Sequence, residues 1–148
     1  MDTKMLRIFA VGKMKDQRLS GLLADYLKRC RPMSPVEVVE IKDSKPEKED
    51  RELAARIAGT SGTGLIVAMD EKGDILGSEE FAKLLAGNGS ISFVIGGADG
   101  LGPDIRGLAQ RQVCLSRMTF THEMARMLLA EQIYRGLSIL RGKPYHRS

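Results

Sequence analysis

Two stretches of the chain hold residue types suited to chemistry. The first is Gly96-Gly97-Ala98-Asp99-Gly100-Leu101-Gly102, directly after the apolar run Phe93-Val94-Ile95. Glycine lets a ligand approach the main chain closely. The loop also follows a predicted strand, at the edge where open α/β sheets bind ligands. Its spacing is not G-x-G-x-x-G, and it lacks the Lys and Ser/Thr that close a P-loop, so dinucleotide binding and triphosphate hydrolysis are both disfavoured. A ligand held by backbone groups, such as an adenosine moiety, suits it better; the plainer alternative is a tight turn before a helix. The second stretch is the C-terminal run Tyr145-His146-Arg147. It joins an aromatic ring, a ring that titrates near neutrality and a guanidinium, in a place where chains ordinarily fray.

Between them lies a predicted helix, from about His122 to Leu140, carrying Arg126, Glu131, Tyr134 and Arg135. Positions 131, 134 and 135 share one helical side, where Glu131 and Arg135 equally make an ordinary intrahelical ion pair. Met124, Met127, Leu128, Leu129, Ile133, Tyr134, Leu137, Ile139 and Leu140 spread around more than one face of this helix. A helix apolar nearly all round is deeply buried, either within its own chain or against a second subunit.

The elements that must position these residues alternate along the chain. Met5–Gly12, Val36–Lys42, a run ending at Asp70, Ser90–Ile95 and Gln112–Ser116 are predicted strands. Leu19, Leu22, Leu23, Tyr26, Leu27 and Cys30 recur with helical spacing. Two further helices follow, one with Ser44 as N-cap and Gly59 at its stop, the other capped by Ser78 and closed by Gly87. A short helix runs from Pro103 to about Gln110. Strands without strict polar alternation, alternating with helices, imply a single α/β domain over residues 1–148, with a mostly parallel sheet flanked by helices.

Composition narrows the class. At 43% hydrophobic and 28% charged, the 148 residues suit one folded domain. With no Trp and only 5% aromatic residues, the core must be mainly aliphatic, with eight Met as adaptable filler. No apolar run is long enough to span a membrane, and Lys4 and Arg7 make the start a poor signal peptide. Cys30 and Cys114 form no metal-binding spacing and read as reduced thiols, which places the protein in the cytoplasm. Residues 1–101 hold 15 basic and 16 acidic residues, a net of −1; residues 102–148 hold 8 and 3, a net of +5. The last third is thus a candidate surface for a polyanion, to which Lys13, Lys15 and Arg18 can add.

Together, "FVIGGADGL", "LSRMTFTHEMARMLLAEQIYRGLSI" and "KPYHRS" resemble the RlmH family, the pseudouridine-N3 methyltransferases of the bacterial large ribosomal subunit, within the SPOUT superfamily. The resemblance covers nearly the whole chain and is strongest from about Leu65 onward. It implies a C-terminal deep trefoil knot, which no periodicity shows, and a homodimer with each cofactor site near the subunit interface. It implies S-adenosylmethionine as cofactor, with contacts from Met69, Gly96, Leu115, Ser116, Arg117, Met118, Thr119 and Phe120. Met69 stands where a leucine is common, a change that keeps size and apolarity. Arg117 and Phe120 fall at variable places, where the backbone can still serve.

The implied reaction is methylation of N3 of a pseudouridine in 23S ribosomal RNA. That nitrogen must lose a proton, either to a general base or through a nearby cation that favours the anion. By resemblance, the catalytic residues are Tyr145, His146 and Arg147, and the residues facing RNA are His122, Arg126, Glu131, Tyr134 and Arg135. Tyr145 is suited to stacking on a base, Arg147 to holding a phosphate, and His146 to taking the proton or fixing the base edge. Without a separate RNA-binding domain, the expected substrate is the assembled ribosome. The main rival is a non-catalytic ribosome-binding protein of the same fold; an unrelated small-molecule α/β enzyme is a third reading.

Overall fold

Aliphatic runs become strands here and the amphipathic stretches between them become helices. In a computed structural model describing residues 5–60, 62, 64–87 and 89–146, the order is β1 (Leu6–Val11), α1 (Gln17–Cys30), β2 (Val36–Ile41), α2 (Pro46–Ala58), β3 (Leu65–Ile75), α3 (Ser78–Ala86), β4 (Ile91–Ile95), α4 (Pro103–Leu108), β5 (Arg111–Cys114) and α5 (His122–Leu140). The five strands form one sheet in the order β2-β1-β4-β3-β5, and every pairing is parallel. All strand C-termini therefore open on one edge.

Alternation along each strand separates two apolar layers. Ile8, Val67, Phe93 and Val113 face the core shared with α1, α3 and α5, where Phe81, Leu85, Leu129 and Ile133 pack. Phe9, Ala68 and Val94 face the other side, against Leu53 and Ile57 of α2 and Ile105 of α4. Cys30 and Cys114 are free and buried, and burial pushes the Cys30 thiol up to about 12.

The strand read as Gln112–Ser116 lies at Arg111–Cys114 and the short helix stops at Leu108; three further differences have a clear physical reason. β3 does not end at Asp70 but continues to Ile75. Val113 of β5 pairs with both Met69 and Asp74, so the residues between bulge out of the ladder. Gly73 permits this, since a Cβ there would lie 2.6 Å from the Gln112 carbonyl carbon and the Val113 nitrogen. The polar run Asp70-Glu71-Lys72-Gly73-Asp74 hid the continuation from an apolar-run criterion. Ser44 is not the cap of α2; Lys45 holds that place, because Pro46 is set for the first helical position. Gly77, not Ser78, caps α3: Glu80 accepts the Gly77 N–H at 3.0 Å, and the Ser78 hydroxyl donates to Gln132 on α5 at 2.8 Å.

Arg126 joins α5 to the sheet. It is 1% exposed. Its guanidinium pairs with Glu40 of β2 and donates to the carbonyls of Val11 (3.2 Å) and Gly12 (2.9 Å), at the end of β1. Removing it leaves those buried carbonyls without a donor. Arg126→Ala should lower the unfolding free energy by about 3 kcal/mol, measured by urea denaturation. A change under about 0.5 kcal/mol, the size typical of ordinary surface substitutions, would contradict this role.

Candidate functional site

The strand ends meet in a crevice of about 760 Å3. Its floor is β3 at Met69 and Asp70, where its ladder with β4 stops, together with Ile95 at the end of β4 and Gly96 just after it. One wall is the glycine loop. Gly100 has φ +78° and its N–H donates to the Gly97 carbonyl at 3.0 Å, which folds the loop back on itself. A Cβ on Gly96 would stand 2.4 Å from the Gly100 carbonyl oxygen. Glycine is thus required first by the closure of this turn, and the bare main chain it leaves faces the crevice.

The opposite wall is the connection from β5 to α5. Leu115, Ser116, Met118, Thr119 and Phe120 line it. Ser116 Oγ accepts the Met118 N–H at 3.0 Å, and Thr121 Oγ1 caps α5 by accepting the Met124 N–H at 3.2 Å. Thr119 and Phe120 make no main-chain hydrogen bond among the described residues, so their backbone groups are available to a ligand. Met118 is 77% exposed. Asp50, buried on α2, accepts the N–H groups of Asp104 (2.9 Å) and Ile105 (3.0 Å) and so fixes the start of α4 just beyond the loop.

Glu123 ties the two ends of the crevice together. Its carboxylate accepts the N–H groups of Lys15 (2.9 Å) and Asp16 (3.0 Å), and those bonds, with Asp16's first, hold it below the usual carboxylate range. Asp16 in turn caps α1, and its hydrogen bond from the Arg18 side chain lowers it to about 2. On the rim, Arg106 of α4 donates from Nε to Asp70 at 3.1 Å.

A second cluster lies farther along α5. Tyr145 donates to Glu131 at 2.7 Å, and the Tyr26 hydroxyl lies 3.1 Å from that of Tyr145. The rings of Tyr134 and Tyr145 meet edge to face at 4.7 Å. The Arg29 guanidinium sits 4.4 Å from the Tyr134 ring centre and 5.3 Å from that of Tyr145. Arg135 donates to Glu131 at 2.8 Å and to His146 Nδ1 at 3.0 Å. A guanidinium can only donate, so Nδ1 accepts and the proton of the neutral ring sits on Nε2. The tail through His146 is therefore docked rather than frayed.

The sequence-named residues thus fall into two groups. Met69, Gly96, Leu115, Ser116, Met118, Thr119, Phe120 and His122 line the crevice. Arg117 is exposed on the same connection but is not among the lining residues. Glu131, Tyr134, Arg135, Tyr145 and His146 form the tail cluster, and Arg147 lies outside the described residues. Arg126 joins neither group: it is buried in its clamp on β1 and β2, so this packing does not present it to RNA. The sequence reading missed Arg29, Tyr26, Asp16, Glu123 and Arg106. Of these, Tyr26 and Arg29 had a signal, since both sit near the C-terminal end of the α1 pattern.

A family profile described as "Predicted SPOUT methyltransferase" matches residues 5–146. A protein of Parasynechococcus marenigrum called "Ribosomal RNA large subunit methyltransferase H" is 41% identical over the full length of both chains. One of the same name from Sinorhizobium fredii is 38% identical over 95% of this chain and 98% of its own. Among solved structures, a probable methylase family protein of Haemophilus influenzae superposes with a TM-score of 0.57 at 15% identity, covering 97% of this chain and 70% of that one. A probable methyltransferase of Bordetella pertussis superposes with a TM-score of 0.52 at 14% identity, covering 91% and 95%. At that identity the likeness concerns fold alone.

Burial, with the hydrogen bonds of Tyr26 and Glu131, raises the Tyr145 phenol well above its ordinary range. Between the ordinary phenol value and the raised one the unfolded chain gives up this proton and the folded chain keeps it, so the fold loses stability as pH rises through that window. In an alkaline spectrophotometric titration, one of the three tyrosines should ionise late, and the late step should vanish in Tyr145→Phe. Ordinary titration of all three near 10 would contradict the docked tail.

Proposed function

The chain belongs to the SPOUT methyltransferase family, among the ribosomal RNA large subunit methyltransferase H proteins, and from that premise we propose that it is an S-adenosylmethionine-dependent enzyme that methylates N3 of a pseudouridine in bacterial 23S ribosomal RNA, on the assembled ribosome. The observation that carries this reading is a single helix, α5, that borders a glycine-walled crevice at one end and holds a polar aromatic cluster near the other.

The crevice suits the cofactor. Its volume lies in the ordinary range for small-molecule sites. The main chain of the glycine loop and of Thr119 and Phe120 offers backbone groups to an adenine and ribose. Asp70, Glu71 and Asp99 on the lining favour a cation such as a sulfonium. When bound, the cofactor supplies an electrophilic methyl group, taken by the lone pair of the acceptor nitrogen as the carbon–sulfur bond breaks and sulfur leaves with its electron pair.

The chain's own residues prepare the acceptor. Glu131 already accepts from Tyr145 and Arg135, and His146 Nδ1 accepts from Arg135, so neither is a free base in this arrangement. The cluster instead offers donors: His146 Nε2–H and the guanidinium groups of Arg29 and Arg135. Donors and cations beside a pseudouridine ring favour its N3 anion, and the proton passes to solvent. Tyr134 and Tyr145 give flat surfaces on which an unstacked base can lie. Arg147 completes the same tail as a phosphate contact.

Geometry also favours the homodimer. From His122 at the crevice to Glu131 is nine helical residues, about 13 Å along α5. Methyl transfer needs contact between donor and acceptor. Two-fold pairing that brings one protomer's tail to the other's crevice closes this gap, and within each protomer the C-terminal segment threads a loop as the deep trefoil knot. Partly buried Met124, Leu128 and Ile139 on α5 offer apolar surface to such a contact.

With radiolabelled S-adenosylmethionine and ribosomes lacking the modification, the protein should transfer label to large-subunit RNA, and mass spectrometry should place it on N3 of a pseudouridine. His146→Ala should slow transfer about a hundredfold, within the usual range for a positioned hydrogen-bond donor to a developing anion, while cofactor affinity by calorimetry holds. Cofactor binding without any transfer would favour a non-catalytic ribosome-binding protein. Full activity of His146→Ala would remove that ring from the mechanism.

A further inference from the structure

The crevice has an unbalanced charge pattern. Asp16, Asp70, Glu71, Asp99 and Glu123 line it, and among the described residues Arg106 is the only Lys or Arg that does. Asp16 and Glu123 are engaged with main-chain N–H groups. S-adenosylmethionine carries a sulfonium, an ammonium and one carboxylate. An acidic crevice attracts the first two and repels the third, so the carboxylate needs the one cation present.

Arg106 is built for that contact. Its Nε donates to Asp70 Oδ2 at 3.1 Å. Asp70 has a side chain only 6% exposed and is itself held by the Lys72 N–H at 3.2 Å, so the guanidinium is anchored by a fixed carboxylate. The two terminal nitrogens of Arg106 make no hydrogen bond among the described residues, and at 45% exposure the side chain remains open to the crevice. Two parallel N–H groups match a carboxylate in bidentate fashion. A lysine, a compact point charge, would not offer that fork.

We propose that Arg106, oriented by Asp70, binds the carboxylate of the amino-acid arm of S-adenosylmethionine and so separates the full cofactor from adenosyl compounds lacking that group. The inference rests on the cofactor reading above, and its test separates the two. S-adenosylmethionine and its decarboxylated analogue share adenosine, sulfonium and ammonium and differ by the carboxylate alone. Calorimetry on the intact protein should show wild type preferring the full cofactor. Arg106→Met should weaken the full cofactor roughly ten- to a hundredfold without weakening the analogue, so that the preference disappears; Arg106→Gln should do the same. The retained affinity for the analogue reports an intact crevice. An unchanged preference in both variants, or an equal loss for both ligands, overturns the assignment and leaves the cofactor reading standing. Wild type binding neither ligand overturns the cofactor reading, and the role of Arg106 with it.

Discussion

A guanidinium taken out of water holds the molecule's two working ends in one frame. Arg126 is 1% exposed, and it persists there because Glu40 balances its charge and the carbonyls of Val11 and Gly12 accept its hydrogens. A charge buried without such partners is costly. The contact fixes α5 against the C-terminal ends of β1 and β2, the same edge on which the crevice opens. The apolar side of α5, through Leu129 and Ile133, then packs on the sheet. Helix position is set by the polar clamp near its start and by apolar packing along its length.

Everything functional hangs from that placement. Thr121 and Glu123 knit the start of α5 to the connection after β5 and to the turn after β1, so the crevice wall and the helix are tied together. Farther along, Glu131 and Arg135 present an acceptor and a donor on one helical side, and the tail closes over them with Tyr145 and His146. An i,i+4 ion pair on a helix surface is worth only a few tenths of a kcal/mol on its own. Here its value lies in geometry: Glu131 orients the Tyr145 hydroxyl, and Arg135 sets which nitrogen of His146 carries the proton.

The sheet was readable because its strands are apolar runs and its helices are amphipathic, and α5 was bounded correctly by His122 and Leu140. The glycine loop was readable as a place of close approach. Its internal reason, closure of Gly96 on Gly100, was not, because nothing in a spacing says what a missing Cβ avoids. The end of β3 was misjudged since an edge irregularity needs polar residues and Gly73 where a strand criterion looks for aliphatics. The resemblance placed Arg126 toward RNA, whereas the fold buries it, and its acceptor Glu40 lies more than eighty residues away in sequence. Arg29 and Arg106 escaped for the same reason: their partners, Tyr134 and Asp70, are distant in the chain.

On this reading the crevice beside β3, β4 and β5, not the tail cluster, receives the adenosyl group. A crystal structure of the protein with S-adenosylhomocysteine tests this most directly. Density for the adenosine is expected between the loop Gly96–Leu101 and the segment Leu115–Thr121. Density stacked instead among Tyr26, Tyr134 and Tyr145, with the crevice empty, would contradict it.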